Sequence, residues 1–218
     1  MKFDKLKFEQ AYKDPKLYFI YKEIDKIKNI KILELGVRSG ISTSLFLKLC
    51  EENNGKLISV DIDDCSHLFQ NEKWKFIHDR DDNFDKINRE IVNIGQLDLI
   101  YIDSFHEPNH VKKIIYNYFK FLKNGGYIFI DDISWLPYAK SSYRENSWNY
   151  EMNIKTFKKI LEIKFSNDDK IDIEFSFENS GTAKISKKSN DQLIEPRKIN
   201  QSKPIKSFIK NIFKNYNF

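Results

Sequence analysis

Five short apolar runs interleaved with stretches of helical periodicity restrict what this chain can fold into more than any other property it has. The runs are Lys31–Leu35, Lys56–Val60, Trp74–Ile77, Asp98–Ile102 and Tyr127–Ile130. Four stop at or just before an aspartate (Asp61, Asp79, Asp103, Asp131) and the first stops at Gly36. Each has the length and β-branched or aromatic content of a strand buried on both faces. Helical spacing follows Pro15 (Leu17, Ile20, Ile24, Ile27), runs from Ser42 to Leu49, and continues from Pro108 through Phe121 to an Asn124-Gly125-Gly126 stop. A further helix is predicted over Ile154 to Ile163. Ile171 to Phe177 and Thr182 to Ser186 then flank Glu178-Asn179-Ser180-Gly181 as a hairpin. The pattern predicts an α/β domain, parallel in its first five strands, closed by an antiparallel hairpin. In such sheets ligands bind beyond the carboxyl ends of the strands, where the acids sit.

Charge divides the 218 residues unevenly. The formal net charge is +5, yet the segment from Lys187 onward alone carries eight basic and two acidic residues. The remainder is close to neutral and has no basic surplus for gripping nucleic acid. Residues 1–187 are therefore expected to form one domain and residues 188–218 a basic extension. Within the extension, Ile205, Phe208, Ile209, Ile212 and Phe213 alternate with lysines at helical spacing. Such an amphipathic helix suits an anionic membrane surface, its own domain, or a second copy in a homo-oligomer. No run approaches the ~20 apolar residues of a membrane span, the N-terminus lacks the apolar stretch of a secretory signal, and the two cysteines fit a reducing compartment. A cytoplasmic protein, with the tail at most peripheral to the membrane, is expected.

Two motifs carry chemistry. The first is Glu34-Leu-Gly36-Val-Arg-Ser39-Gly40, a strand leading through a glycine turn into a helix whose free N–H groups suit a carboxylate or phosphate. Asp61, ending the next strand, is placed to accept ribose hydroxyls. The dinucleotide fingerprint is missing its third glycine, which argues against an NAD(P)-dependent oxidoreductase, the competing enzyme class. The pattern instead resembles the E-x-G-x-x-x-G motif of class I S-adenosylmethionine-dependent methyltransferases. Asp61, the Gly125-Gly126 turn and the terminal hairpin extend the resemblance over about residues 15–187. It implies a Rossmann-like seven-stranded, mostly parallel sheet of order 3-2-1-4-5-7-6 with helices on both faces. It further implies that Gly36, Ser39 and Gly40 line the methionine end of the cofactor, with Ser42 or Thr43 near its carboxylate. Asp61 would hold the ribose and Asp79 the adenine amino group.

The second motif is Asp103-Ser-Phe-His106 together with Asp131-Asp132. Asp103, Asp131 and Asp132 make a hard, all-oxygen set suited to Mg²⁺, which lowers the pKa of an alcohol bound to it. His106, just ahead of a helix, is expected to stay neutral and act as a general base. The pairing resembles the Mg²⁺-dependent sugar O-methyltransferases of macrolide pathways and their "cephalosporin hydroxylase"-like relatives. In that group the first acid and the acidic pair bind metal and the histidine is the base; the pair usually begins with glutamate, where this chain has Asp131. The implied substrate is a small-molecule or glycan hydroxyl. Aromatic residues from Trp135 to Tyr150, with Arg144, are expected to form a loop above it. A non-catalytic cofactor-binding or assembly protein, with a purely structural acidic cluster, is the third reading.

Overall fold

The computed structural model describes residues 5–139 and 144–199. One sheet runs through it in the order β3-β2-β1-β4-β5-β7-β6. Its strands are β1 (Lys31–Leu35), β2 (Lys56–Asp61), β3 (Trp74–His78), β4 (Leu97–Ile102), β5 (Leu122–Asp131), β6 (Ile171–Ser176) and β7 (Thr182–Lys187). β1 to β5 pair in parallel, and β7 is antiparallel to β5 and β6. This is the Rossmann-like seven-stranded order expected from the sequence, hairpin included.

The period of two along each strand divides the core between two faces. On β1, Leu33 and Leu35 point to one side with Ile100 and Ile102 of β4, against Ile87 and Ile91 of α4 (Phe84–Ile94), Ile114 and Ile115 of α5 (Pro108–Tyr118), and Ile160 and Ile163 of α6 (Arg144–Ser166). Ile32, Leu99, Tyr101 and Phe129 point to the other side. There they meet Ala11 of α1 (Lys5–Lys13), Ile20 and Ile24 of α2 (Pro15–Ile24), and Leu45 and Phe46 of α3 (Ile41–Glu52). Glu34 shares this second face and is wholly buried.

Three local expectations are corrected. The helix opened by Pro108 ends at Tyr118, followed by a 3-10 turn over Phe119–Phe121. Asn124-Gly125-Gly126 lies inside β5, where Gly125 adopts φ +81° and the register with β4 shifts between Leu97 and Leu99. The glycines thus serve a strand irregularity rather than a helix cap. The segment from residue 144 to 150 is not a loop but the first two turns of α6. An unanticipated first helix, α1, precedes Asp14, which caps α2 by accepting from the Lys16 and Leu17 N–H groups.

The extension does not leave the domain at once. Ile194 N–H donates to Asn167 and the Ile194 carbonyl accepts from Tyr116, while Glu195 pairs with Lys112. The proposed amphipathic helix over 205–213 lies outside the described residues, as does Tyr143. No described helix is long and apolar enough to cross a membrane.

Candidate active site

Gly36 turns the chain out of β1 at φ +98°, and a Cβ there would stand 2.1 Å from the Asp103 carbonyl oxygen. Only glycine permits this approach, which brings the ends of β1 and β4 together. The turn is held by Asp61: its Oδ2 accepts from the Val37 and Arg38 N–H groups at 2.6 and 2.9 Å, and Oδ1 from Asp63 N–H at 2.9 Å. Burial works against the Asp61 charge, but those backbone donors outweigh it and hold the carboxyl below its ordinary range. Beside this turn opens a cleft of about 540 Å³, lined by Gly36, Arg38, Asp61, Asp81, Asp103 and Phe105 among others.

Several residues predicted for this cleft do other work. Glu34 lies beneath it, accepting from Ser42 Oγ at 2.6 Å, Thr43 Oγ1 at 2.8 Å and Ser59 Oγ at 2.6 Å. Burial, only partly offset by these hydroxyls, pushes its pKa up to about 7. The Ser42 and Thr43 side chains are therefore committed to Glu34, and what α3 presents to a ligand is backbone. Its N-cap, Gly40, contributes no side-chain cap, so first-turn N–H groups remain for a bound anion. Gly40 itself packs under the Phe69 ring, and Ser39 is exposed in the turn. Asp79 faces away from the cleft, its Oδ2 taken by Lys86 at 2.8 Å and Asn83 at 3.1 Å at the start of α4. The carboxylate that reaches the cleft is Asp81, which accepts from Ser104 Oγ and pairs with His110 Nε2 at 3.0 Å.

At the mouth of β4 and β5 the second motif does assemble. His106 Nε2 lies 3.5 Å from Asp103 Oδ1 and 3.6 Å from Asp132 Oδ2. Both distances are charge-pair contacts longer than a good hydrogen bond. Its Nδ1 is buried without a partner, and its backbone carbonyl accepts from Thr156 Oγ1 of α6 at 3.0 Å. Asp132 is held at φ +55°, a left-handed conformation that aspartate tolerates better than most residues. Burial disfavours the imidazolium, but Asp103, Asp132 and Asp131 outweigh it and raise the His106 pKa. The nearby carboxylates thus act against the neutral form that the helix terminus alone would favour.

Asp131 is turned elsewhere. Both its oxygens lie 2.7 Å from the Lys16 ammonium, which also donates to Ser180 Oγ at 2.7 Å. Tyr101 Oη stands 3.4 Å from Asp131 Oδ2 and 3.3 Å from Asp103 Oδ2, and Thr182 Oγ1 stands 3.4 Å from Asp131 Oδ1. Burial, with Asp103 and Asp132 nearby, still lifts the Asp131 pKa, while burial of Lys16 is outweighed first by Asp131 and then by Asp132 and Asp103, and its ammonium is held firmly charged. Among the described residues no three His, Cys, Asp or Glu side chains are grouped to hold a metal ion. The expected Mg²⁺ set of Asp103, Asp131 and Asp132 does not fit a metal, because an ammonium already occupies the two-oxygen face of Asp131. Lys16 and Tyr101 were missed: one reads as a solvated lysine after a helix-opening proline, the other as one more apolar strand position.

The predicted aromatic loop is divided. Trp135 packs edge-on to Phe157 and Phe177, whereas Trp148 of α6 stacks at 6.3 Å on Phe105 and both remain about half exposed. These two line a groove of about 550 Å³ with Met152, Lys155 and Lys158. Phe105 is common to this groove and the cleft. The side chain of Arg144 is outside the described residues.

Residues 33–133 match the profile of a family described as a methyltransferase domain. Among solved structures, the chain is similar to the MycE methyltransferase of the mycinamycin biosynthetic pathway in complex with Mg, S-adenosylhomocysteine (SAH) and mycinamycin VI. That match has 18% identity and a TM-score of 0.57, over 82% of this chain and 50% of MycE. A second MycE structure, with Mg and SAH, gives 17% identity and a TM-score of 0.61 over 95% and 59% of the two chains. SAH-bound PaMTH1, a methyltransferase of Podospora anserina, gives 16% identity and a TM-score of 0.63 over 84% and 87%. The chain spans half to three-fifths of the length of MycE. No curated protein matches the sequence.

Proposed function

We propose that this chain, whose residues 33–133 match a methyltransferase-domain profile and whose fold is similar to those of MycE and PaMTH1, is an S-adenosylmethionine-dependent O-methyltransferase acting on a hydroxyl of a sugar or glycoside. The observation that carries this reading is the junction at Asp103. Its backbone braces Gly36 in the cleft, and its side chain faces His106 on the acceptor side.

In this reading the methionine end of the cofactor lies along Gly36 and the Ser39–Gly40 turn, with its carboxylate at the first-turn N–H groups of α3. Glu34, with Ser42 and Thr43, supports that turn from below. Asp61 has acceptor capacity left on Oδ1 for a ribose hydroxyl, and Asp81 takes the adenine-side role first assigned to Asp79. Bound S-adenosylmethionine supplies a methyl group already activated by its sulfonium. The acceptor hydroxyl enters near His106 Nε2, where the long contacts to Asp103 and Asp132 leave room for an oxygen. Nε2 takes the hydroxyl proton as the oxygen–carbon bond forms and the methyl–sulfur bond breaks to leave S-adenosylhomocysteine, and the two carboxylates stabilise the resulting imidazolium. Phe105 and Trp148 offer aromatic surface to a sugar ring, and Lys155 and Lys158 flank it. Magnesium enters only through resemblance, and no step here passes through it.

Calorimetric titration of SAH into the protein, followed by methyl-transfer assays on glycoside acceptors, tests the reading. Micromolar SAH binding and methylation lost in His106→Gln would support it. An absence of SAH binding would overturn it.

A further inference from the structure

We infer that Lys16 is the resident cation of the acidic site, standing where a divalent metal would otherwise sit, so that the cluster works without metal. The inference deepens the proposed reading and rests on it only for what the site does in catalysis. The ammonium is itself a structural fact, and three observations carry its significance.

First, the lysine is placed rather than incidental. Asp14 caps α2 through the Lys16 N–H at 2.8 Å, Pro15 fixes the first helical position, and the side chain is only 12% exposed. Second, its three N–H donors are matched by three acceptors, both Asp131 oxygens and Ser180 Oγ, with Asp132 Oδ1 at 3.9 Å. Third, Asp131 is enclosed by other partners: Lys16 reaches both of its oxygens at 2.7 Å, and the Tyr101 and Thr182 hydroxyls stand at 3.4 Å. A metal approaching Asp131 would have to displace the ammonium and would meet its charge at close range. With Lys16 in place, Asp131 neutralises the lysine, and Asp103 and Asp132 are left to face His106.

Metal binding itself, read apart from turnover, tests this. The full-length protein with SAH is titrated with Mn²⁺ as the probe and followed by electron paramagnetic resonance. Wild type is expected to take up no stoichiometric Mn²⁺ at micromolar concentrations. Lys16→Met, which keeps the length of the chain and removes the charge, should bind one Mn²⁺ about tenfold or more tightly than wild type. Lys16→Met combined with Asp131→Asn should lose that site. Circular dichroism reports folding, and Lys16→Gln repeats the measurement if the methionine variant does not fold. A stoichiometric micromolar Mn²⁺ site in wild type would overturn the inference, as would charge-removed variants that bind no more tightly than wild type. Failure to bind SAH would instead sink the methyltransferase reading, and the Mn²⁺ comparison would still be readable without it.

Discussion

Replacing Glu34 with Gln should change how stability depends on pH, by an amount that follows from its surroundings. The carboxyl is wholly buried on the α3 face of β1, and its pKa is pushed up from 4.5 to about 7. A folded-state pKa above the unfolded one means that folding favours the protonated acid. Its contribution is therefore fully present below the unfolded value and is lost as pH rises through the folded one. At 1.36 kcal/mol per pKa unit, the full effect is about 3 kcal/mol, most of it developing between about pH 5 and pH 8. Glutamine resembles the protonated acid. Its oxygen can accept from Thr43 and Ser59 while its amide donates to Ser42 Oγ, which must then turn its own hydrogen elsewhere. Urea unfolding of both proteins across that range yields a difference curve in which the other shared carboxylates cancel. Relative to wild type, Glu34→Gln should gain about 2 to 3 kcal/mol from the acid to the alkaline end. Parallel curves would refute the claim that Glu34 ionises at a cost inside the fold.

The other predictions concern the cleft and the acceptor side. His106→Gln should lower kcat by about 10²- to 10⁴-fold while leaving SAH affinity by calorimetry unchanged; undiminished turnover would remove the base. The rising limb of the rate against pH should lie above the ordinary imidazole value, because the acids favour the proton and the base must shed it. Asp132→Asn should move that limb to lower pH, and an unmoved limb would uncouple the two groups. Asp81→Asn should weaken SAH binding more than Asp79→Asn does, and the reverse order would return the adenine side to Asp79. Gly36→Ala should cost about 3 kcal/mol or prevent folding, since its Cβ meets the Asp103 carbonyl in a left-handed backbone; a urea midpoint like that of wild type would contradict that contact.

The sheet was legible in the sequence because strands buried on both faces leave short apolar runs, and their glycine and acid endings mark the ligand-bearing edge. His106, Asp103 and Asp132 were readable for the same reason, each standing just past a strand end. What could not be read depends on contacts between distant segments. Nothing local distinguishes Asp79 from Asp81; the start of α4 decides, by bringing Lys86 and Asn83 to Asp79. Ser42 and Thr43 look like ligand hydroxyls until Glu34 is seen behind them. The first turns of α6, Arg144 to Tyr150, carry no aliphatic residue, so apolar periodicity had nothing to report there.

The match to the methyltransferase-domain profile covers residues 33–133. Lys16 precedes that window and Ser180 follows it, so two of the segments that surround Asp131 lie outside the matched region. A comparison confined to the shared window would see three aspartates and a histidine and transfer a metal requirement with them. For this chain, the question of a metal is then put to the helix that opens at Pro15 and to the hairpin tip at Ser180 as much as to the motif itself.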